Sequence, residues 1–195
     1  SPHISGWMVE QMSAQEWAAL RKHTDVTMVV SALGDDAIFG GQAWLDHRRI
    51  TSKGNSVESV VRTPRGPLRS KHMITREASW VAEHYFKGYD DIDRLLSVPY
   101  APPEFDLSDY FAWDRELSED GLVALGIPSA FRFCLGFFGS QQLYMMIADD
   151  VDLIERLVRT MNERLARYVQ ACCERGVRSF WMGGSEHCGP GVVHP

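Results

Sequence analysis

A glycine-rich loop near the end of the chain holds the residues best suited to chemistry. Glu186, His187 and Cys188 place a carboxylate, an imidazole and a thiol next to one another, directly after the apolar segment 177–182. Glu186 and His187 could act as catalytic acid and base, and His187 and Cys188 are of the types that bind zinc. Because zinc ligands usually lie two or more residues apart, we expect at most one or two of them to bind a metal. The alternative is a strand-end loop whose polar side chains face solvent.

A second group of candidates follows the apolar segment 122–127. Arg132 could bind a substrate carboxylate through two hydrogen bonds, and Phe131 and Phe133 could form an apolar wall beside that substrate. The alternative is a buried segment in which Arg132 pairs with a neighbouring acid. The sequence alone does not decide between these two interpretations.

Two further candidates lie in the first part of the chain. Asp35 is followed by Asp36 just after an apolar segment, where a carboxylate could act as a base or hold a substrate amine. His3 belongs to an apparent first strand and could point into the mouth of a barrel. The alternative for Asp35 is a solvated loop. The other central histidines are expected on the surface or in a hairpin: His47, His72 and His84.

The elements that must position these candidates repeat as strand, helix, strand. Segment 25–30 is apolar and β-branched, and it predicts a buried strand, as do segments 122–127 and 177–182. A capping box predicts a helix over 13–23, and an apolar stripe at spacings of three and four predicts a long helix over 150–175. Buried strands that alternate with helices are typical of a parallel sheet, either an α/β barrel or a doubly wound sheet, and in both of them functional side chains cluster past the C-terminal ends of the strands.

The segments between these elements carry weaker signals. Segment 31–55 is rich in glycine, aspartate and charge and predicts irregular structure, whereas 56–73 predicts a β-hairpin around a Pro/Gly turn. A short helix is expected over 89–96, and the prolines of 99–103 predict an extended linker. A further short helix is expected to begin after Asp106 or Ser108.

Composition limits the class of protein. The chain has 195 residues, of which 45% are hydrophobic and 24% charged, and a net charge of −6, which is typical of one soluble globular domain spanning 1–195. No basic run is longer than Arg48-Arg49, which disfavours nucleic acid as a partner. The sequence has no apolar stretch of membrane-spanning length and no paired cysteine motif, so we expect no membrane partner and a reducing, cytoplasmic location. Because the chain lacks an initiator Met and ends just after a loop, we expect it to be truncated at both ends.

Four segments, in the right order, resemble the uroporphyrinogen decarboxylase superfamily. The last one resembles the strand and loop in which that family has Gly-Gly-x-Glu, then Gly-Pro, then Ser-Pro, with His194 here in place of the Ser. This last segment is Phe180–Pro195. Arg62–His72 resembles the family's TP-x-G-x-L hairpin, and Glu83–Pro103 resembles its segment of a Lys, an acidic helix start and a Pro-rich exit. Ala124–Gly139 resembles the family's Gly-x-Pro strand end.

The resemblance implies an α/β fold of the (β/α)8 TIM-barrel type, here an incomplete barrel with a β-hairpin insertion. Members of the superfamily either decarboxylate uroporphyrinogen without a cofactor or transfer methyl groups between a corrinoid protein and a thiol with zinc. The decarboxylases carry an early arginine-rich motif, whereas this chain has no arginine before Arg21. The methyltransferases bind zinc through a His-x-Cys motif and a distant Cys, and His187-Cys188 lacks that spacing.

The resemblance therefore favours a methyltransferase-like or demethylase-like enzyme, which would use zinc and a corrinoid protein. The family's zinc ligands belong to later strands, beyond Pro195, so no cofactor site is expected within the chain itself. A uroporphyrinogen decarboxylase and a non-catalytic ligand-binding homologue are the alternatives. Since a (β/α)8 barrel usually takes about 250 residues, an incomplete barrel would expose strand edges and apolar faces. For that reason we also expect self-association.

Overall fold

The computed structural model describes residues 3–183, which form two β-sheets and their connecting helices. Within this range the strands are β1 (His3–Ser5), β2 (Val26–Val30), β3 (Arg48–Lys53), β4 (Ser56–Thr63), β5 (Gly66–Ile74), β6 (Ser79–Glu83), β7 (Gly121–Pro128) and β8 (Phe180–Gly183). The helices are α1 (Gly6–Glu10), α2 (Ala14–His23), α3 (Asp35–His47), α4 (Asp90–Leu96), α5 (Ser108–Leu117), α6 (Ala130–Phe138), α7 (Ser140–Asp149) and α8 (Val151–Glu174).

One sheet is parallel and has the order β1-β2-β7-β8. Each strand pairs with the previous strand of this sheet, and the register aligns Val26 with Gly121 and Leu125 with Phe180. In a doubly wound sheet the strand order reverses at a switch point, whereas successive strands of a barrel stay adjacent. The four described parallel strands have no reversal. These strands confirm the predicted α/β fold with a parallel sheet. The described sheet is open, so the closed (β/α)8 barrel stays a prediction.

Local sequence signals account for two of the helices. Ser13 caps α2 in a reciprocal capping box with Glu16, as predicted. The apolar stripe of α8 buries Ile154, Leu157 and Met161, and the Asp150 carboxylate caps this helix by accepting a hydrogen bond from the amide of Leu153 at 3.0 Å. The predicted helices over 13–23 and 150–175 are therefore confirmed.

Tertiary packing accounts for elements that the local pattern did not reveal. The prediction of irregular structure over 31–55 is wrong, because α3 and β3 occupy most of it. The helix α3 is interrupted at Gly41, where φ is +77° and an added Cβ would lie 2.6 Å from the carbonyl oxygen of Ala101. Its residues Ile38, Phe39 and Trp44 are fully buried in the core. This burial compensates for the two central glycines, which have low intrinsic helix propensity.

The second sheet is an antiparallel four-stranded meander with the order β3-β4-β5-β6, inserted between β2 and β7. Its central strands confirm the predicted hairpin over 56–73. The register places Ile50, Ser59 and Ser70 side by side on one face and Arg49, Val60 and Arg69 on the other. We call the face with Ser59 the inner face of the meander and the face with Val60 its outer face.

The remaining predictions agree with the structure in most respects. The helices near 89–96 and after Ser108 are present, and the proline-rich stretch 99–103 has no regular structure. The last described strand, β8, begins at Phe180 and is shorter than predicted. Among the described residues, no helix combines the length and apolar character needed to cross a membrane.

Candidate functional site

A cavity of about 400 Å³ lies between the inner face of the meander and the starts of α3 and α6. These helices follow β2 and β7, so the cavity is at the C-terminal edge of the parallel sheet, where α/β folds concentrate their functional groups. Polar and apolar side chains both line it: Asp35, Asp36, Arg48, Ile50, Val57, Ser59, His72, Ile74, Val81, Tyr85, Arg132, Phe133 and Phe137. We call this cavity the cleft.

An ion pair joins two strand ends across the cleft. Asp35 is the first residue of α3, and its Oδ2 lies 3.0 Å from Nε of Arg132 in the first turn of α6. The hydroxyl of Ser129 caps α6 by accepting a hydrogen bond from the amide of Arg132 at 3.1 Å. The cap fixes the backbone that carries the guanidinium, so that the two sequence candidates Asp35 and Arg132 meet.

Burial shifts the pKa of the carboxyl group in this pair. Desolvation raises the pKa of Asp35 above its ordinary value, and the charge of neighbouring Asp36 raises it as well, while Arg132 opposes the shift. The side chains of Asp35 and Arg132 keep 36% and 48% exposure, so water and a ligand can reach both. A reachable carboxylic acid with a raised pKa is suited to proton transfer.

A second ion pair connects the meander to α3. Asp36 pairs with Arg48, the first residue of β3. The cleft therefore holds two carboxylates and two guanidiniums, whose formal charges cancel. Each arginine that faces the cleft is already matched by an aspartate of the chain.

The inner face of the meander and the segment that follows β6 supply a set of polar groups. The Tyr85 hydroxyl donates a hydrogen bond to Ser59 Oγ at 2.8 Å, and desolvation raises the pKa of Tyr85. His72, which lies directly opposite Val57 on β4, also lines the cleft. These groups can donate to or accept from a polar part of a ligand.

The rest of the cleft wall is apolar and aromatic. Phe133 packs on Phe39 with ring centroids 4.8 Å apart, and Phe137 lies within 6.1 Å of the Tyr85 ring. On the opposite side Ile50 and Ile74 of the meander are about half exposed. Large apolar side chains exposed beside a concave polar site are typical of ligand-binding surfaces.

The structure places the remaining sequence candidates in different positions. The ring centroid of Phe131 lies 6.4 Å from that of Tyr144. Phe131 does not line the cleft, whereas Phe133 does. The backbone of His3 pairs with Thr27 near the N-terminal end of β2, away from the edge where the cleft lies. The candidates Glu186, His187 and Cys188 lie outside the described residues.

Sequence reasoning missed the contribution of the meander. Arg48, His72 and Tyr85 were not predicted as site residues, because no local signal shows which edge of the sheet an insertion will cover. The alternation of β4 and β5 does contain a usable signal, since it places Ser59 and His72 on the same face as buried Val61.

The two metal-ligand candidates, His187 and Cys188, lie outside the described residues. Within 3–183 no group of three or more His, Cys, Asp or Glu is arranged to hold a metal ion. Cys134 and Cys172 are buried, and burial raises the pKa of the Cys134 thiol to about 12 and that of Cys172 to about 11. Both thiols therefore pack as neutral groups in the core.

Comparison of the chain with protein-family models, with curated proteins and with solved structures finds no match. The resemblance to the uroporphyrinogen decarboxylase superfamily therefore rests on the four sequence segments alone.

Proposed function

We propose that the chain is part of a barrel enzyme of the uroporphyrinogen decarboxylase superfamily, and that the cleft binds a small-molecule substrate for methyl transfer or demethylation. The observation that carries this proposal is the Asp35–Arg132 pair at the C-terminal edge of the parallel sheet, enclosed by the inner face of the meander. The strand order, in which successive parallel strands stay adjacent, supports the barrel.

The charge balance of the cleft favours methyl transfer over uroporphyrinogen decarboxylation. A substrate with eight carboxylates needs unpaired cations, whereas Arg48 and Arg132 are both neutralised by aspartates. The aromatic and aliphatic wall suits a substrate that is uncharged over most of its surface. A corrinoid protein would then be the partner that accepts the methyl group.

In this proposal the residues of the cleft have separate roles. Asp35 carries a proton to or from the group that gains or loses the methyl, since it is a reachable carboxylate whose pKa is raised by burial. Arg132 holds the Asp35 carboxylate and orients a polar substrate atom, and Phe133 forms the apolar floor. The described residues do not fit a zinc ion, so no step is assigned to a metal.

We propose that Glu186 and His187 form an acid/base pair, and that this pair acts on the substrate together with Asp35. The chain continues toward them from Gly183, and Gly183 lies next to Arg132, since a Cβ built on it would be 3.5 Å from Nη1 of that arginine. The last described residue of β8 is thus already at the edge of the cleft.

The proposal is tested with the full gene product that contains this chain. Cob(I)alamin serves as methyl acceptor, anisole, methanol and trimethylamine as methyl donors, and uroporphyrinogen as the alternative substrate. We expect methyl transfer from one of the donors, seen as loss of the cob(I)alamin spectrum. Asp35→Asn should reduce its rate by well over tenfold, because general acid/base groups typically contribute about 10²–10⁴.

Asp149→Asn is the matched control, since Asp149 is an exposed carboxylate at the end of α7, and its rate should stay unchanged. Turnover of uroporphyrinogen without methyl transfer would replace the proposal with a decarboxylase. A donor that binds without reacting would instead indicate the non-catalytic homologue. Normal methyl transfer by Asp35→Asn would remove Asp35 from the mechanism.

A further inference from the structure

The meander concentrates positive charge that the rest of the chain lacks. Residues 48–83 contain eight of the 20 Lys and Arg but three of the 26 Asp and Glu, which gives this segment a formal charge of +5. The remainder therefore has 12 basic and 23 acidic residues, a formal charge of −11. Such segregation within a chain of net charge −6 marks the meander as a surface for anions.

Strand pairing brings three arginines together on the outer face. Arg49 of β3 lies opposite Val60 of β4, and Val60 lies opposite Arg69 of β5. Arg62 is two residues beyond Val60 and so shares its face. At the usual strand spacing the Cα atoms of Arg49 and Arg69 are about 10 Å apart. Because the three arginines are separated in sequence, they do not form a basic run that the sequence alone would reveal.

These arginines border a cavity of about 610 Å³, which also touches His47 and Asp46. We call it the outer cavity. Its volume is within the range of about 300–1,000 Å³ that is usual for small-molecule sites. It lies on the outer face of the meander, whereas the cleft lies on the inner face, and the two share Arg48 as a lining residue.

The three arginines have no carboxylate partner among the described residues. Neighbouring Arg48 and Arg65, in contrast, pair with Asp36 and Asp93. The Asp46 carboxylate accepts a hydrogen bond from Gln42 Nε2 at 2.8 Å and reduces the formal charge of the outer cavity only in part. The chain thus assembles guanidiniums around a concave surface and leaves them unneutralised.

We propose that the outer cavity binds a small polyanion, a ligand with two or more phosphate or carboxylate groups. Guanidiniums bind such groups through paired hydrogen bonds, and arginines spread over about 10 Å suit anionic groups that are separated within one molecule. The concave shape favours a small ligand over the flat contact of a macromolecule. This site is independent of the reaction proposed for the cleft.

The test measures binding of pyrophosphate and of citrate by isothermal titration calorimetry at low and at high NaCl concentration. One of the two should bind, more weakly at high salt. Replacing Arg49, Arg62 and Arg69 together with Gln should weaken binding at least a hundredfold, since one charged hydrogen-bonding partner is typically worth about tenfold or more. The difference between the two ligands identifies phosphate or carboxylate as the preferred group.

The matched control replaces Arg76, Arg115 and Arg156 with Gln, which removes the same charge from exposed positions elsewhere. This variant should bind like the unmodified protein. Equal weakening by both triple variants would show a non-specific charge effect and overturn the proposal. Failure of both anions to bind would also overturn it. Thermal unfolding curves verify that both variants are folded.

Discussion

The parallel sheet and the meander use apolar residues in different ways. In the parallel sheet, Leu125 of β7 is fully buried between helices, whereas Ile50 of the meander is 55% exposed beside the cleft. The first arrangement stabilises the fold through packing, and the second leaves apolar surface for a ligand. Because Val61 and Leu68 of the meander are also fully buried, the meander contributes both to the core and to the cleft, whereas the described parallel strands contribute to the core and supply no lining residue of the cleft.

Replacing Leu125 with Ala should have the largest effect on stability. Loss of a fully buried leucine removes packing and leaves a cavity, so the free energy of unfolding should fall by about 2–5 kcal/mol. Urea denaturation followed by circular dichroism measures this change. A loss below about 1 kcal/mol would contradict the assignment of the core to this strand.

Replacing Ser129 with Ala should have an intermediate effect that reaches the cleft. The change removes the cap of α6, which should lower the free energy of unfolding by about 1 kcal/mol and loosen Arg132. Ser13→Ala is the matched control, because Ser13 caps α2 with its own side chain. Both variants should melt at lower temperature, but Ser129→Ala alone should raise the KM of the cleft reaction. Equal KM values for Ser129→Ala and Ser13→Ala would show that the cap of α6 does not contribute to substrate binding.

Replacing Asp35 with Asn should produce a smaller effect that depends on pH. Since the folded pKa of Asp35 is raised above 3.8, the native state binds this proton more tightly than the unfolded state. Its contribution to stability is therefore lost as pH rises from 3.8 through the raised value. Asn cannot ionise, so the variant should gain stability relative to the unmodified protein over that range. Denaturation at a series of pH values tests this, and a difference between variant and unmodified protein that does not change with pH would contradict it.

Replacing Ile50 with Ser should have the smallest effect on stability. Because the side chain is mostly exposed, the free energy of unfolding should change by less than about 0.5 kcal/mol. The same change makes the mouth of the cleft more polar, so a largely apolar substrate should bind a few-fold more weakly. Unchanged binding, measured by titration, would show that the meander does not contribute to specificity.

Local signals in the sequence predicted part of the fold. The capping box of α2 and the apolar stripe of α8 are each contained within one helix, so their elements could be identified without tertiary information. The helix α3 has two adjacent glycines, and β3 has almost no apolar alternation. Both depend on partners distant in sequence, which is why the segment 31–55 was predicted wrongly.

The candidate site, like the fold, could be predicted from the sequence only in part. Asp35 and Arg132 follow parallel strands, and the rule that functional groups lie past strand ends identified both before their contact was known. His72 and Tyr85 reach the same cleft because the meander folds over that edge of the sheet. The position of an insertion depends on its packing, and single-sequence patterns carry little information about it.

Arg48 and Arg49 divide two adjacent charges of one strand between the two faces of the meander. Arg48 borders both cavities, but the alternation of β3 places its side chain with Ile50 on the inner face, where it pairs with Asp36. Arg49 lies on the outer face and has no carboxylate partner among the described residues. One strand thus presents a neutralised guanidinium to the cleft and an unneutralised one to the outer cavity, so the charge of either face can be changed by mutation without altering the other.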